Sequence, residues 1–193
     1  MTQRAAQPIT IAVFALLATL AIFVALVSRG EVPVASAGGG CPHASSSPNE
    51  ASKAQFARSI RCLINNERTS RGLNALKNNS DLRGIQVDHV RKMLAQDCFE
   101  HRCAGESSLN RRLFESGYLD GADSYKFGEI FGYEETPNEM IDRWLTRDYD
   151  RNNILNPKFE DIGAAAGFGS PEPGVDDDDF VTYSVLMAVA KGP

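Results

Sequence analysis

The sequence contains no Cys-x-x-Cys pair, no Gly-x-Ser-x-Gly elbow, no internal repeat and no surplus of basic charge. The first absence, with the spacings among the four cysteines, suits zinc coordination badly. The second removes the turn on which many hydrolases present a nucleophilic serine. A formal net charge of −5 at pH 7 argues against nucleic acid or an anionic lipid surface as the main partner. Residues 1–37 carry only Arg4, Arg29 and Glu31, so the remainder is near −6. Part of that acid sits in Asp176-Asp177-Asp178-Asp179. The run lacks the alternating ligands and glycine of a calcium loop, and reads as a solvated hairpin tip.

One long apolar run is present. Residues 9–27 hold no charge and no helix breaker, and at about 1.5 Å per residue they extend about 28 Å, close to a bilayer core. Arg4 precedes the run, and Val34-Ala35-Ser36-Ala37 follows as a small-x-small pattern open to cleavage after Ala37. Residues 1–37 therefore read either as a cleaved signal peptide or as an N-terminal membrane anchor. In both readings the rest of the chain is exported, and membrane contact is confined to this segment. Gly38-Gly39-Gly40 before Cys41 lacks the leucine-type residue of a lipoprotein signal.

The remaining residues suffice for one domain with a core. Residues 38–51 are rich in Gly, Ser and Pro and read as a leader or linker, with the domain at 52–193. All four cysteines follow the export segment, where disulfides persist. Three pairings exist; Cys98 with Cys103 leaves Cys41 for Cys62, tying the leader to the first helix. The chain-entropy argument gives these loops about 2 and about 3.5 kcal/mol.

Helical spacing runs from 52 to 71 through Phe56, Ile60, Leu63 and Ile64, with Gly72 as a stop. Ser80 caps a second helix with a stripe of Leu82, Ile85, Val90, Met93 and Leu94. Ser107 opens a short third helix ending at Gly117. Thr136-Pro137-Asn138-Glu139 is a capping box with proline in the first turn, followed by Met140, Ile141, Trp144 and Leu145. Strand signals occupy 126–131, 162–168 and 180–189, the last two joined by a long hairpin loop. The 162–168 run is small and apolar, as a strand with a helix packed close to it should be. Helices followed by an antiparallel hairpin give an α+β fold.

Four stretches recur in order: LINNERTSRGLNALKNNSDL at 63–82, CFEHRC at 98–103, FGEIF at 127–131 and RNNILNPKFEDIGAAAG at 151–167. They resemble the bacterial extracellular branch of the CAP superfamily, which comprises cysteine-rich secretory proteins, antigen 5 and pathogenesis-related proteins. The resemblance covers about 56–189. It implies a three-layer α-β-α sandwich with an antiparallel central sheet and a shallow cleft. In this family the cleft commonly holds two histidines with acidic partners, and a divalent metal in some members. Position by position, the first histidine is His101 and the glutamate is Glu129. Asp150 stands where the second histidine belongs, which leaves a harder, more oxygen-rich set of ligands.

His101, Glu129 and Asp150 are thus the candidate cleft residues and the candidate metal ligands. The alternative is a hydrogen-bonded trio that only holds the cleft together. His89 reads as a satisfied structural histidine, and His43 lies in the leader without a chemical role. Hydrolysis by the same trio, with or without a metal, is a second function class. Against it, Ser107 serves as a helix cap and the cysteines are oxidised. Phe127, Phe131, Tyr133 and Trp144 surround Glu129 and are mostly core. Their presence, with relatives that bind sterols or fatty acids, points to an exported binding module for a lipid-like, peptide or envelope ligand. The third class is a protein or cell-wall interaction module with a purely structural trio.

Overall fold

The computed structural model describes residues 40–175 and 177–193. The apolar run at 9–27 and the cleavage pattern lie outside the described residues, as does Asp176. Among the described residues no helix is long and apolar enough to cross a membrane.

The chain runs α1 (Lys53–Ser70), β1 (Lys77–Asn78), α2 (Ser80–Gln96), α3 (Leu109–Glu115), β2 (Ser124–Glu134), α4 (Pro137–Thr146), α5 (Asp148–Ile154), β3 (Asp161–Phe168) and β4 (Val181–Lys191). A single 3-10 turn, Asp177–Asp179, lies in the loop between the last two strands, where the acidic tip is expected. Capping follows the local sequence. Ser52 with Gln55 and Thr136 with Glu139 form reciprocal capping boxes. Gly72 takes φ +75° just past α1, a left-handed position that an L side chain resists. Two caps sit one residue from their expected places: Asn79, not Ser80, caps α2, and Ser108, not Ser107, caps α3.

The sheet order is β1-β3-β4-β2. β4 pairs antiparallel with both β3 and β2, from Val181 opposite Phe168 and Glu134 to Lys191 opposite Ser124. The two-residue β1 adds a parallel edge at Asp161 and Ile162, which the purely antiparallel expectation omitted. Two residues carry too little pattern to announce a strand.

Strand alternation builds two cores. On one face Ile162, Ala164, Val181, Tyr183, Val185, Met187 and Ile130 pack against α1, α4 and α5, with Trp144 fully buried. On the other face Leu186 and Ala188 meet Leu82, Ile85 and Leu113 of α2 and α3. Helices on both faces make the three-layer sandwich. The glycines of β3 set its spacing from α2. A Cβ on Gly163 would stand 2.2 Å from the Leu82 carbonyl carbon, and one on Gly167 would stand 2.6 Å from Val90 and Leu94. The helix lies against bare backbone, as the small-residue run predicts.

Both expected disulfides are present, Cys41–Cys62 and Cys98–Cys103. The leader is seated on the domain. Asn138 N–H donates to the Ala44 carbonyl at 2.9 Å, and its side-chain amide donates to Ser45 Oγ at 2.9 Å. His43 has a structural task, its Nε2 lying 2.7 Å from the Gln55 amide nitrogen.

Candidate functional site

α2 ends in a left-handed residue, Asp97 at φ 48°, which turns the chain into the loop bearing His101. Four constraints fix that loop. The Cys98–Cys103 bond closes it. Cys103 N–H donates to Glu106 Oε2 at 3.0 Å, Arg102 Nε to the Glu106 carbonyl at 2.9 Å, and Arg112 Nη2 to the His101 carbonyl at 2.7 Å. The imidazole then stands edge-on to Phe131, ring centres 4.7 Å apart.

Glu129 lies on the α2 side of β2, and its carboxylate is 1 % exposed. Oε2 lies 2.8 Å from His101 Nδ1, while Oε1 accepts from the Gln86 amide at 2.9 Å. Ser184 Oγ in turn donates to Gln86 Oε1. Arg112 Nη1 stands 3.6 Å from Glu129 and 3.3 Å from Glu106. Glu106 meets His89 Nδ1 at 3.0 Å, so one buried charged network runs from His89 to the half-exposed His101. Burial raises the Glu129 pKa; the His101 hydrogen bond, the charges of His89 and Arg112 and the Gln86 amide together outweigh it. The net position is below the ordinary glutamate value.

α5 brings Asp150 to the cleft from the opposite face. The stretch carries no helix signal in sequence, yet it forms two helical turns, with Asp148 and Asp150 in the first. That charge placement suits a helix start. Burial raises the Asp150 pKa, opposed by Arg147 and His101. His101, Asp150, Arg147, Phe99, Ile130, Phe131 and Tyr149 line one cavity of ≈ 160 Å³ at the β2 edge. Two edge carbonyls are covered: Tyr149 hydroxyl donates to the Glu129 carbonyl at 3.4 Å, and Trp144 Nε1 to that of Phe131 at 3.3 Å.

The structure therefore brings His101 against Glu129 and places Asp150 at the same cavity, with no direct hydrogen bond joining Asp150 to either. These three do not bring three ligand atoms within 4.8 Å of one another; among the described residues the group that does is His89, Cys103 and Glu106. That group does not fit a metal either. The Cys103 sulfur is bonded to Cys98, and the Arg112 cation already stands beside Glu106.

Of the four expected aromatics, Phe131 walls the cleft. Trp144 belongs to the far core, and Phe127 stacks on Tyr125, rings 6.2 Å apart. His89 is fully buried and only half satisfied, because its Nε2 has no partner. Gln86, Glu106, Arg112 and Tyr149 escaped the sequence reading. Gln86 and His89 carried a usable signal, since both are polar within the buried stripe of α2.

The cysteine-rich secretory protein (CAP) family model matches residues 62–184. A search of curated proteins finds no match. Among solved structures, an SCP-domain extracellular protein from Bacillus anthracis aligns with a TM-score of 0.56 at 20% identity, covering 70% of this chain and 40% of that one. An outer surface protein from Borrelia burgdorferi gives 0.56 at 17% identity, covering 68% and 90%. A cysteine-rich secretory protein from Staphylococcus aureus gives 0.50 at 20%, covering 70% and 38%. The chain thus spans about two fifths of the length of the Bacillus and Staphylococcus proteins. These likenesses establish the shared fold.

Proposed function

Because this chain belongs to the cysteine-rich secretory protein (CAP) family, we propose that it is an extracytoplasmic binding module whose cleft captures one side chain of an extended peptide. The observation that carries this reading is the imidazole of His101. It is 51% exposed, yet is fixed by a 2.8 Å bond to a carboxylate that is 1% exposed. A rigid donor or acceptor is thereby presented at the mouth of a small aromatic-walled hollow.

Size decides between ligand classes. Pockets that enclose a small molecule run to about 300–1,000 Å³. A hollow of ≈ 160 Å³ takes a single apolar side chain and leaves the imidazole and Asp150 to meet the flanking peptide groups. An acyl chain or sterol needs more room. An oxidising location is supported by the two disulfides, by the apolar run at 9–27, and by the extracellular and surface descriptions of the similar bacterial proteins.

A hydrolase reading rests on the same His101–Glu129 pair, a base held by a carboxylate. Among the described residues no hydroxyl or thiol nucleophile bonds the imidazole, which favours binding. The test is selection of peptides from a displayed random library on the full chain, followed by affinity measurement with His101→Ala. Selected peptides should weaken about tenfold or more, which is about 1.4 kcal/mol. Equal affinity for both proteins would sink the cleft as the binding site. Mass analysis of the incubated peptides should find them intact; cleavage lost with His101→Ala would establish the hydrolase instead.

A further inference from the structure

The sheet has a second edge, remote in topology from the cleft. β1 covers β3 only at Asp161 and Ile162, so residues 163–168 have no strand partner on that side among the described residues. The direction of their backbone groups follows from the register. Lys77 N–H donates to the Glu160 carbonyl and Asn79 N–H to the Ile162 carbonyl, whereas Gly169 N–H donates to Phe180. Even-numbered residues of β3 therefore turn their backbone groups away from β4, and beyond the buried Ala164 this leaves Ala166 and Phe168 as an open edge.

That edge forms the floor of a slot of ≈ 460 Å³ between α1 and α2. Its walls combine small apolar surface, Ala54, Ala57 and Val87, with four cations, Lys53, Arg58, Arg61 and Arg83, and no carboxylate. None of the four makes an ion pair among the described residues, although nine other basic side chains do. Arg61 is held by Asn78 Oδ1 at 2.5 Å. Burial, then the charges of Arg58 and Arg83, lower its pKa, so the cluster is crowded; Lys53 lies over the Phe168 ring, 5.3 Å from its centre. In a chain of net charge −5 such a concentration of positive charge is a local feature.

We propose that this slot binds an extended peptide with acidic side chains at alternate positions, which adds to the sheet as a strand beside β3. Each part of the slot has a use for that occupant. The open backbone groups pair with the peptide main chain, the gap between helices already accommodates β1 in the same line, and alternate side chains reach the arginines and lysine. A bare oxyanion would use the cations and leave the strand edge unexplained. Ala164 and Ala165 are nearly covered, so pairing begins at Ala166 and Phe168, the latter 43% exposed. The long rim side chains swing aside as the strand advances.

The experiment uses the full chain and a fluorescent hexapeptide of alternating valine and glutamate, with the valine–lysine peptide as its counterpart, read by polarisation. The acidic peptide should bind in a salt-sensitive way and the basic one should not. Arg58→Glu with Arg83→Glu should cost at least about tenfold for the acidic peptide and create affinity for the basic peptide. That gain of binding shows the double variant is folded. Ala166→Pro removes a slot-facing N–H without touching the β4 ladder, and should abolish binding while Arg58→Glu alone weakens it. Three results overturn the proposal: no acidic-peptide binding, binding indifferent to Ala166→Pro and to charge reversal, or charge-dependent binding of phosphatidylglycerol vesicles or inorganic phosphate in place of the peptide. The His101→Ala variant should bind this peptide normally, which separates the slot from the cleft.

Discussion

Glu129 shows how one buried charge is kept ionised. Its folded pKa lies below the unfolded one, so its stabilisation is complete above the ordinary value of 4.5 and is lost as pH falls through the folded value. Glu129→Gln should therefore flatten the acid limb of stability below about pH 4.5 in urea titrations. At neutral pH it should cost about 1–3 kcal/mol, because Arg112 and Gln86 lose a buried partner. Asp150 behaves oppositely. Burial raises its pKa, so the ionised form opposes folding at neutral pH and protonation relieves that cost as pH falls through the raised value. Asp150→Asn should raise the melting temperature at pH 7, and the gain should vanish in acid. The pair was legible as a motif because His101 and Glu129 sit in short matching stretches. Glu106 and Arg112 were not, since nothing local marks a charge that will be buried by a distant partner.

The long elements announced themselves through period and caps, as with the reciprocal capping box of Thr136 and Glu139. The short ones did not. α5 has no side-chain N-cap bond and is tied to α4 by its own Arg151, whose Nη1 donates to the Leu145 carbonyl at 3.0 Å. Tertiary contact, not propensity, makes that helix, so the helix itself was invisible in sequence, while Asp150 was reached only through the family resemblance. Packing of α2 on β3 supplies a sharper test. Gly163→Ala drives a methyl into the Leu82–Arg83 backbone and should cost about 1–3 kcal/mol in thermal unfolding. At Gly84, in the same helix, an added methyl would meet nothing within 4 Å; Gly84→Ala should stabilise by about 0.5–1 kcal/mol.

The two disulfides act on different parts of the molecule. Replacing Cys41 and Cys62 by serine should lower unfolding free energy by about 3.5 kcal/mol and free the leader for proteolysis. Replacing Cys98 and Cys103 should cost about 2 kcal/mol, with the larger effect at the cleft, where the His101 loop loses one of its restraints. Limited digestion followed by peptide mapping distinguishes the two: cuts near 40–51 in the first variant and near 98–103 in the second.

The central position of β4 carries one more consequence. It is the strand that both β3 and β2 require, and it follows both in the chain. No two long strands can pair until Val181–Lys191 has been made, so a nascent intermediate short of that point has at most the two-residue pairing of β1 with β3. Ribosome-stalled chains ending before 181 should stay protease-sensitive throughout. Such late closure makes assembly of the whole sheet hang on the strand that is synthesised last of the four.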